Sequence, residues 1–250
     1  MNRLVLITDI IKNVGRDLLL PEIYPSRELK PNHTNYWIGF FVNLLFKGYF
    51  AAEYIDTKNI PETGAAIIAA NHSSHLDGML INTASLYARR RSVAFLAAAD
   101  VYNSNPLFRT MCNIVKCIPV KRYESDRAAL LKTIRLLNHG KLVGIFPEGM
   151  RSRDGNIGEG KEGVAVIALA TGFPVIPVGI NGTFRALPRK TRIIKPAKVK
   201  LKFGAPLRFD KGRNPSHERV SWVRDEIMNE IKRLYRGLTS SEEKRQKIAA

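Results

Sequence analysis

The sequence predicts an α/β fold: a single mixed, mostly parallel sheet covered by helices on both faces, preceded by an amphipathic two-helix motif. Three observations carry this. From residue 60 onward, short β-branched runs alternate with helical stretches, the pattern of an α/β sandwich. The runs are nearly all apolar instead of alternating, as expected of strands covered on both sides. The chain has 250 residues and 45% apolar content, enough for one substantial buried core.

The first predicted element is a helix in "LVLITDIIKNVGRDLLL", where Leu4, Ile7, Ile11, Val14 and Leu18 make one apolar stripe. Its apolar run is broken early and no small-residue cleavage site follows, so it does not read as a signal peptide. After Pro21, Pro25 and Pro31 comes "YWIGFFVNLLFKGYF" (36–50), which holds seven of the 21 aromatic residues. Asn43 and Lys47 interrupt it, and it falls short of the ~20 apolar residues that span a bilayer. Two such helices either cap a core or lie in a membrane interface with their apolar sides down. Strands are predicted at 65–71, 92–98, 114–120, 142–148, 173–180 and 198–204. Helices are predicted near 78–90, 124–139, 162–171 and 216–236. The expected organisation is an N-terminal interface motif (1–55), an α/β domain (56–238) and a polar, frayed tail (239–250).

Charge narrows the partners. Forty basic residues against 22 acidic ones give +18, a field that suits anionic ligands, anionic membranes or nucleic acid. Eleven Lys or Arg lie between Arg185 and Arg213, with Asp210 as the single acid. Nucleic acid is disfavoured: there is no zinc-finger spacing, no basic heptad helix and no aromatic ribonucleoprotein motif. Cys112 and Cys117 are too few for a disulfide framework and read as inert thiols in a reducing compartment.

The chemistry concentrates in "NHSSHLDG" (71–78), where a strand passes into a helix. A metal site needs three or four ligands, and neither His33, His139 nor His217 completes a cluster with His72 and His75. A serine nucleophile normally sits on a G-x-S-x-G elbow, which is missing. The reading left standing is His72 as a general base oriented by Asp77, with His75 a structural hydrogen-bonder. Such a pair omits the nucleophile of a catalytic triad, which makes sense when the acceptor substrate brings its own hydroxyl to an activated carbonyl.

"NHSSHLD" resembles the H-x-x-x-x-D block of the glycerolipid acyltransferase family, of the lysophosphatidic acid (1-acyl-glycerol-3-phosphate) type. "CIPVKR" (117–122), "FPEGMRS" (146–152) and "VIPVGI" (175–180) are similar to the family's next three blocks, in the expected order. The resemblance implies catalysis by His72 and Asp77, with Arg122, Glu148, Gly149 and Arg151 binding the acceptor. It places Ile176 and Pro177 near the acyl donor. It further implies acyl-CoA or acyl-carrier protein as donor, a lysophospholipid as acceptor, no metal and no bound cofactor. The expected location is peripheral, on an anionic membrane surface at the cytoplasmic face of the cell membrane. Two departures bear on the acceptor head group: Met150 stands where relatives usually have Thr, and Ala97, Ala98 and Ala99 occupy a stretch where many carry a lysine. The residues leave two rivals open, a non-catalytic anionic-lipid binder on the same scaffold and a hydrolase using water.

Overall fold

A computed structural model describes residues 33–98, 109, 117–120, 126–189, 191, 193–212 and 214–249. The first predicted helix, Lys121, Arg122, Ala99 and Cys112 lie outside the described residues. Helix α1 (His33–Phe50) leads to β1 (Glu53–Ile55), a 3-10 turn (Thr57–Asn59) and β2 (Ala66–Ala70). Then follow α2 (Leu76–Arg89), β3 (Val93–Ala98), β4 (Cys117–Val120), α3 (Asp126–Asn138) and β5 (Leu142–Ile145). The chain continues with α4 (Gly163–Thr171), β6 (Val175–Asn181), α5 (Thr183–Ala186), β7 (Lys200–Phe203) and α6 (His217–Ala249).

The strands form one seven-stranded sheet in the order β1-β7-β6-β2-β5-β3-β4. It is parallel from β6 through β4, and only the β6–β7 junction is antiparallel. The predicted mixed, mostly parallel sheet is therefore observed. Alternate residues of β2 enter different cores, as a period of two requires. Ala66, Ile68 and Ala70 face α1 and α2, together with Val93, Phe95, Ile176 and Leu201. Ile67 and Ala69 face α3, α4 and α6. Helix α4 reads "GVAVIALAT" and is buried from Val164 to Ala170, which explains an apolar sequence with no polar stripe. Gly172, at φ +70°, ends it in the left-handed region.

Three local features depart from the sequence reading. The β1 strand and the short α5 helix are additional elements. The last helix does not stop near residue 236 but runs to Ala249, through the segment expected to fray. Helix α1 matches the predicted aromatic helix and uses both of its sides. Asn43, Phe46 and Phe50 are buried in the core, while Phe41, Leu44, Leu45 and Tyr49 are exposed.

One contact in the sheet reaches toward the His72–Asp77 turn. Gly144 of β5 leaves room for the Phe95 ring, and a Cβ added there would overlap it. Phe95 in turn stacks on Phe146, with ring centroids 5.5 Å apart. Gly144→Ala is expected to lower stability by ~1–3 kcal/mol through overpacking. Because Phe146 leans on the displaced ring, turnover should fall by more than the loss of folded protein explains. Thermal melts and kcat measured on the folded fraction check this, and unchanged kcat would disconnect Phe95 from the site.

Candidate active site

The parallel strands end on one edge of the sheet, the edge where open α/β sheets bind ligands. β2 delivers Asn71 and His72 there. Asn71 locks the end of the strand in place: its Nδ2 donates to Ile180 O at 2.9 Å and its Oδ1 accepts from Ile180 N–H at 2.8 Å. The chain then turns into α2, and the turn closes around Asp77.

Asp77 is fully buried in the first turn of α2. Its Oδ2 accepts from Ser73 N–H at 2.7 Å and Ser74 N–H at 2.8 Å, and lies 2.9 Å from His72 Nδ1. An oxygen already receiving two N–H donors acts as acceptor to the ring as well, so Nδ1 carries the hydrogen and Nε2 carries the lone pair. The helix N-terminus and the three donors stabilise the carboxylate charge away from water. Among the described residues Nε2 has no hydrogen-bond partner. The side chain of His72 keeps 18% exposure, so its ring is reachable from solvent. The imidazole stacks flat on Phe146, with centroids 3.9 Å apart and planes 11° apart.

β5 delivers the second half of the site. After Phe146 and Pro147, Glu148 is buried and takes His72 N–H on Oε1 at 2.7 Å and Gly158 N–H on Oε2 at 2.9 Å. Burial raises its pKa, while the two N–H donors pull it the other way. Both oxygens are engaged by backbone, so Glu148 ties the His72 backbone to the 158 loop. The resemblance implies an acceptor-binding role for Glu148; its observed contacts are to two backbone N–H groups. Gly149 turns at φ +72°, and Ser152 N–H donates to His72 O at 2.7 Å. Arg151 therefore leaves the backbone directly beside the His72–Asp77 turn. No carboxylate pairs with it among the described residues. Burial, and then the charge of Arg189, hold its pKa below the usual guanidinium range.

His75 sits at the start of α2. Burial lowers its pKa to about 4, with the charges of Arg151 and His72 acting the same way and Asp77 opposing them. Ile176 and Pro177 lie inside β6, where both are buried in the sheet. Met150 is exposed at the tip of the Glu148 turn. The sequence reading did not single out Lys161 or Arg189. A Cβ on Gly149 would stand 2.9 Å from Lys161 Nζ, which places that ammonium over the Gly149 turn. Among the described residues no group of three or more His, Cys, Asp or Glu side chains is placed to hold a metal ion.

The depressed pKa of His75 makes a signed prediction. Between about pH 4 and 6.5 the unfolded chain binds a proton at His75 that the folded chain does not. Stability from this group is complete above pH 6.5 and is lost as pH falls toward 4. His75→Asn should flatten the stability-versus-pH curve over that window by about one proton. Glu148, raised instead of lowered, keeps its opposite slope in both proteins. Identical slopes in parent and variant, from denaturant titrations at several pH values, would contradict this placement of His75.

Known proteins resemble this chain in sequence and in fold. The chain is 30% identical over 134 residues to 1-acyl-sn-glycerol-3-phosphate acyltransferase LPAT1, chloroplastic, of Arabidopsis thaliana, covering 52% of this chain and 36% of that protein. It is 27% identical over 179 residues to the 1-acyl-sn-glycerol-3-phosphate acyltransferase of Bacillus subtilis, covering 71% of this chain and 84% of that one. The chain spans only 36% of the length of that Arabidopsis protein and 40% of the 1-acyl-sn-glycerol-3-phosphate acyltransferase BAT2, chloroplastic, of Brassica napus. The fold is that of the crystal structure of the 1-acyl-sn-glycerophosphate (LPA) acyltransferase PlsC from Thermotoga maritima. The TM-score is 0.62 at 24% identity, over 93% of this chain and 97% of that one. The family model described as Acyltransferase matches residues 52–181, over half of the chain and inclusive of both the His72–Asp77 turn and the Glu148–Arg151 turn, so this chain belongs to the Acyltransferase family.

Proposed function

We propose that the chain transfers a fatty acyl group from an acyl thioester, of coenzyme A or acyl-carrier protein, to the free hydroxyl of a lysophospholipid. 1-Acyl-glycerol-3-phosphate is the favoured acceptor and phosphatidic acid the product. The observation that carries the reading is a histidine held by a buried aspartate through Nδ1, with Nε2 unpartnered and a basic group, Arg151, beside it. The serines nearest the histidine are committed elsewhere. Ser73 Oγ lies 2.9 Å from Thr183 Oγ1, and Ser74 Oγ donates to Leu187 O at 2.9 Å. That arrangement suits a base without a protein nucleophile.

In this mechanism the acceptor hydroxyl gives its proton to His72 Nε2 as its oxygen attacks the thioester carbonyl carbon. The resulting imidazolium is stabilised by the Asp77 carboxylate at Nδ1. Collapse of the tetrahedral intermediate breaks the carbon–sulfur bond, and the departing thiolate takes the proton from Nε2. The histidine finishes neutral, with the same hydrogen on Nδ1. Positioned general-base catalysis of this kind is worth ~10²–10⁴-fold.

A peripheral place on the cytoplasmic face of the cell membrane belongs to the same proposal. Among the described residues no helix is long and apolar enough to cross a membrane. Helix α1 exposes Phe41, Leu44 and Leu45 even while its other side is buried. Inserting such side chains into the lipid interface, with the +18 field adding attraction to anionic head groups, supports peripheral binding.

Three results test this reading. With labelled acyl thioesters and a panel of lysolipids, the wild type should form phosphatidic acid. His72→Ala should lose ~10²–10⁴ in kcat without loss of fold, and a chelator should leave the wild type unaffected. Release of free fatty acid alone would make the protein a hydrolase, and no product from any pair would favour a binding protein. Arg151→Lys keeps the charge but loses the two-pronged fork, so acceptor KM should rise and donor KM should stay. A change in donor KM alone would move Arg151 to the thioester side. Replacing Phe41, Leu44 and Leu45 together by Ser should weaken flotation with anionic vesicles by ~100-fold or more, each full burial being worth ~1.5–3 kcal/mol. Unchanged flotation would place the anchor elsewhere.

A further inference from the structure

The exposed apolar side of α1 continues beyond the helix. Phe41, Leu45 and Tyr49 follow one another at four-residue spacing and share one stripe, with Leu44 beside it. At the C-terminal end of that stripe Tyr49 Oη donates to Ile194 O at 3.2 Å. Ile194 belongs to the segment between α5 and β7, where it is 44% exposed and its neighbour Ile193 is 70% exposed. The base of this segment is fixed. Lys195 N–H donates to Ala186 O at 2.8 Å, and Val199 N–H donates to Phe50 O, at the end of α1, at 3.0 Å. Thr191 N–H donates to Pro188 O at 3.2 Å and Ile193 N–H to Thr191 Oγ1 at 3.1 Å, so a hydrogen-bonded turn carries the two isoleucines.

Single exposed apolar residues are ordinary, but an adjacent pair that extends an apolar helix face makes a patch. The charge around the pair identifies what covers it. No acid occurs in the sequence from Arg185 through Lys200, and Arg189, Lys190, Arg192 and Lys195 flank the isoleucines. Apolar tips set among cations match a bilayer with anionic head groups: the tips enter the acyl boundary and the cations stay with the head groups. One helix lying in the interface leaves the domain free to roll about the helix axis. A second insertion point beside it removes that freedom. We propose that Ile193 and Ile194 form a second lipid-insertion point, which together with α1 fixes the orientation of the domain on an anionic membrane. The inference rests on the peripheral-membrane reading above and adds to it a contact outside α1. The same segment carries the consequence for chemistry. Its Leu187 O accepts from Ser74 Oγ, and Thr183 Oγ1 at its start lies 2.9 Å from Ser73 Oγ. The segment that enters the lipid is thus bonded to the His72–Asp77 turn, and its seating sets how that turn faces the bilayer.

The test uses the full chain and the double variant Ile193→Ser/Ile194→Ser, with Ile193→Leu/Ile194→Leu as the conservative control. Flotation is measured with vesicles of mixed phosphatidylcholine and phosphatidylglycerol. The serine variant is expected to bind them ~10–100-fold more weakly, and the leucine variant as the wild type does. Thermal melts should coincide, because both side chains are exposed in the folded chain. Turnover of a short-chain, soluble lysolipid should match the wild type. Turnover of a long-chain lysolipid embedded in the vesicles, counted per bound molecule, should fall severalfold in the serine variant. Undiminished flotation of that variant, with the wild type floating, would overturn this proposal and leave the peripheral reading standing. A wild type that does not float would remove both. Weaker flotation with unchanged turnover per bound molecule would contradict the orienting role. A lipid-free dimer that the serine variant dissociates would assign the patch to a second copy of this chain and overturn the proposal as well.

Discussion

One carboxylate oxygen organises this active site. Asp77 Oδ2 gathers His72 Nδ1–H and the N–H groups of Ser73 and Ser74, and no part of the residue meets solvent. An unpartnered carboxylate in that position would cost several kcal/mol and would protonate instead. Here three donors and the N-terminus of α2 hold the charge, and the same three bonds define the turn. Turn shape, histidine tautomer and ring direction are therefore consequences of a single interaction. The spacing of five residues between His72 and Asp77 is what a strand-to-helix turn needs for its acid to reach back over two backbone N–H groups to the ring.

The sheet supplies rigidity around that oxygen. β2 lies between β6 and β5, so the turn following it is flanked by the ends of both neighbours. Each neighbour contributes a tie. Asn71 clamps β2 to Ile180 of β6, and Glu148, after β5, holds the His72 N–H. Phe146 presses flat against the imidazole and is itself backed by Phe95, for which Gly144 leaves space. A base braced from both sides loses little orientation freedom when the substrate arrives, which is where positioned catalysis gains its rate.

How much of this was legible beforehand differs by element. The central strands announce themselves as short apolar β-branched runs, and α4 as an apolar helix, because burial on both sides leaves no room for polar residues. The three-residue β1 gives no such signal: its partner β7 lies far along the chain, and Glu53–Ile55 is too short for a period to show. The α6 extension gives no apolar period because "SSEEKRQK" is polar, although Glu, Lys, Arg and Gln are good helix formers. In the site, His72 and Asp77 are close in sequence, so their pairing was readable from spacing. Glu148 was recognisable as a site residue, but its work as a backbone brace depends on Gly158 N–H arriving from the next loop. Lys161 gives no sequence signal for a related reason: nothing local tells which of many lysines a later loop brings over the Gly149 turn.

In the proposed mechanism His72 activates a hydroxyl carried by the substrate, and no protein side chain is acylated. The most direct measurement is a rapid-quench experiment with a labelled acyl thioester and no acceptor. No burst of thiol release and no label on the denatured protein are expected, with label moving to lipid only when the lysolipid is added. A burst matching the enzyme concentration, with acyl label retained by the denatured chain, would contradict it and make a protein nucleophile part of the reaction.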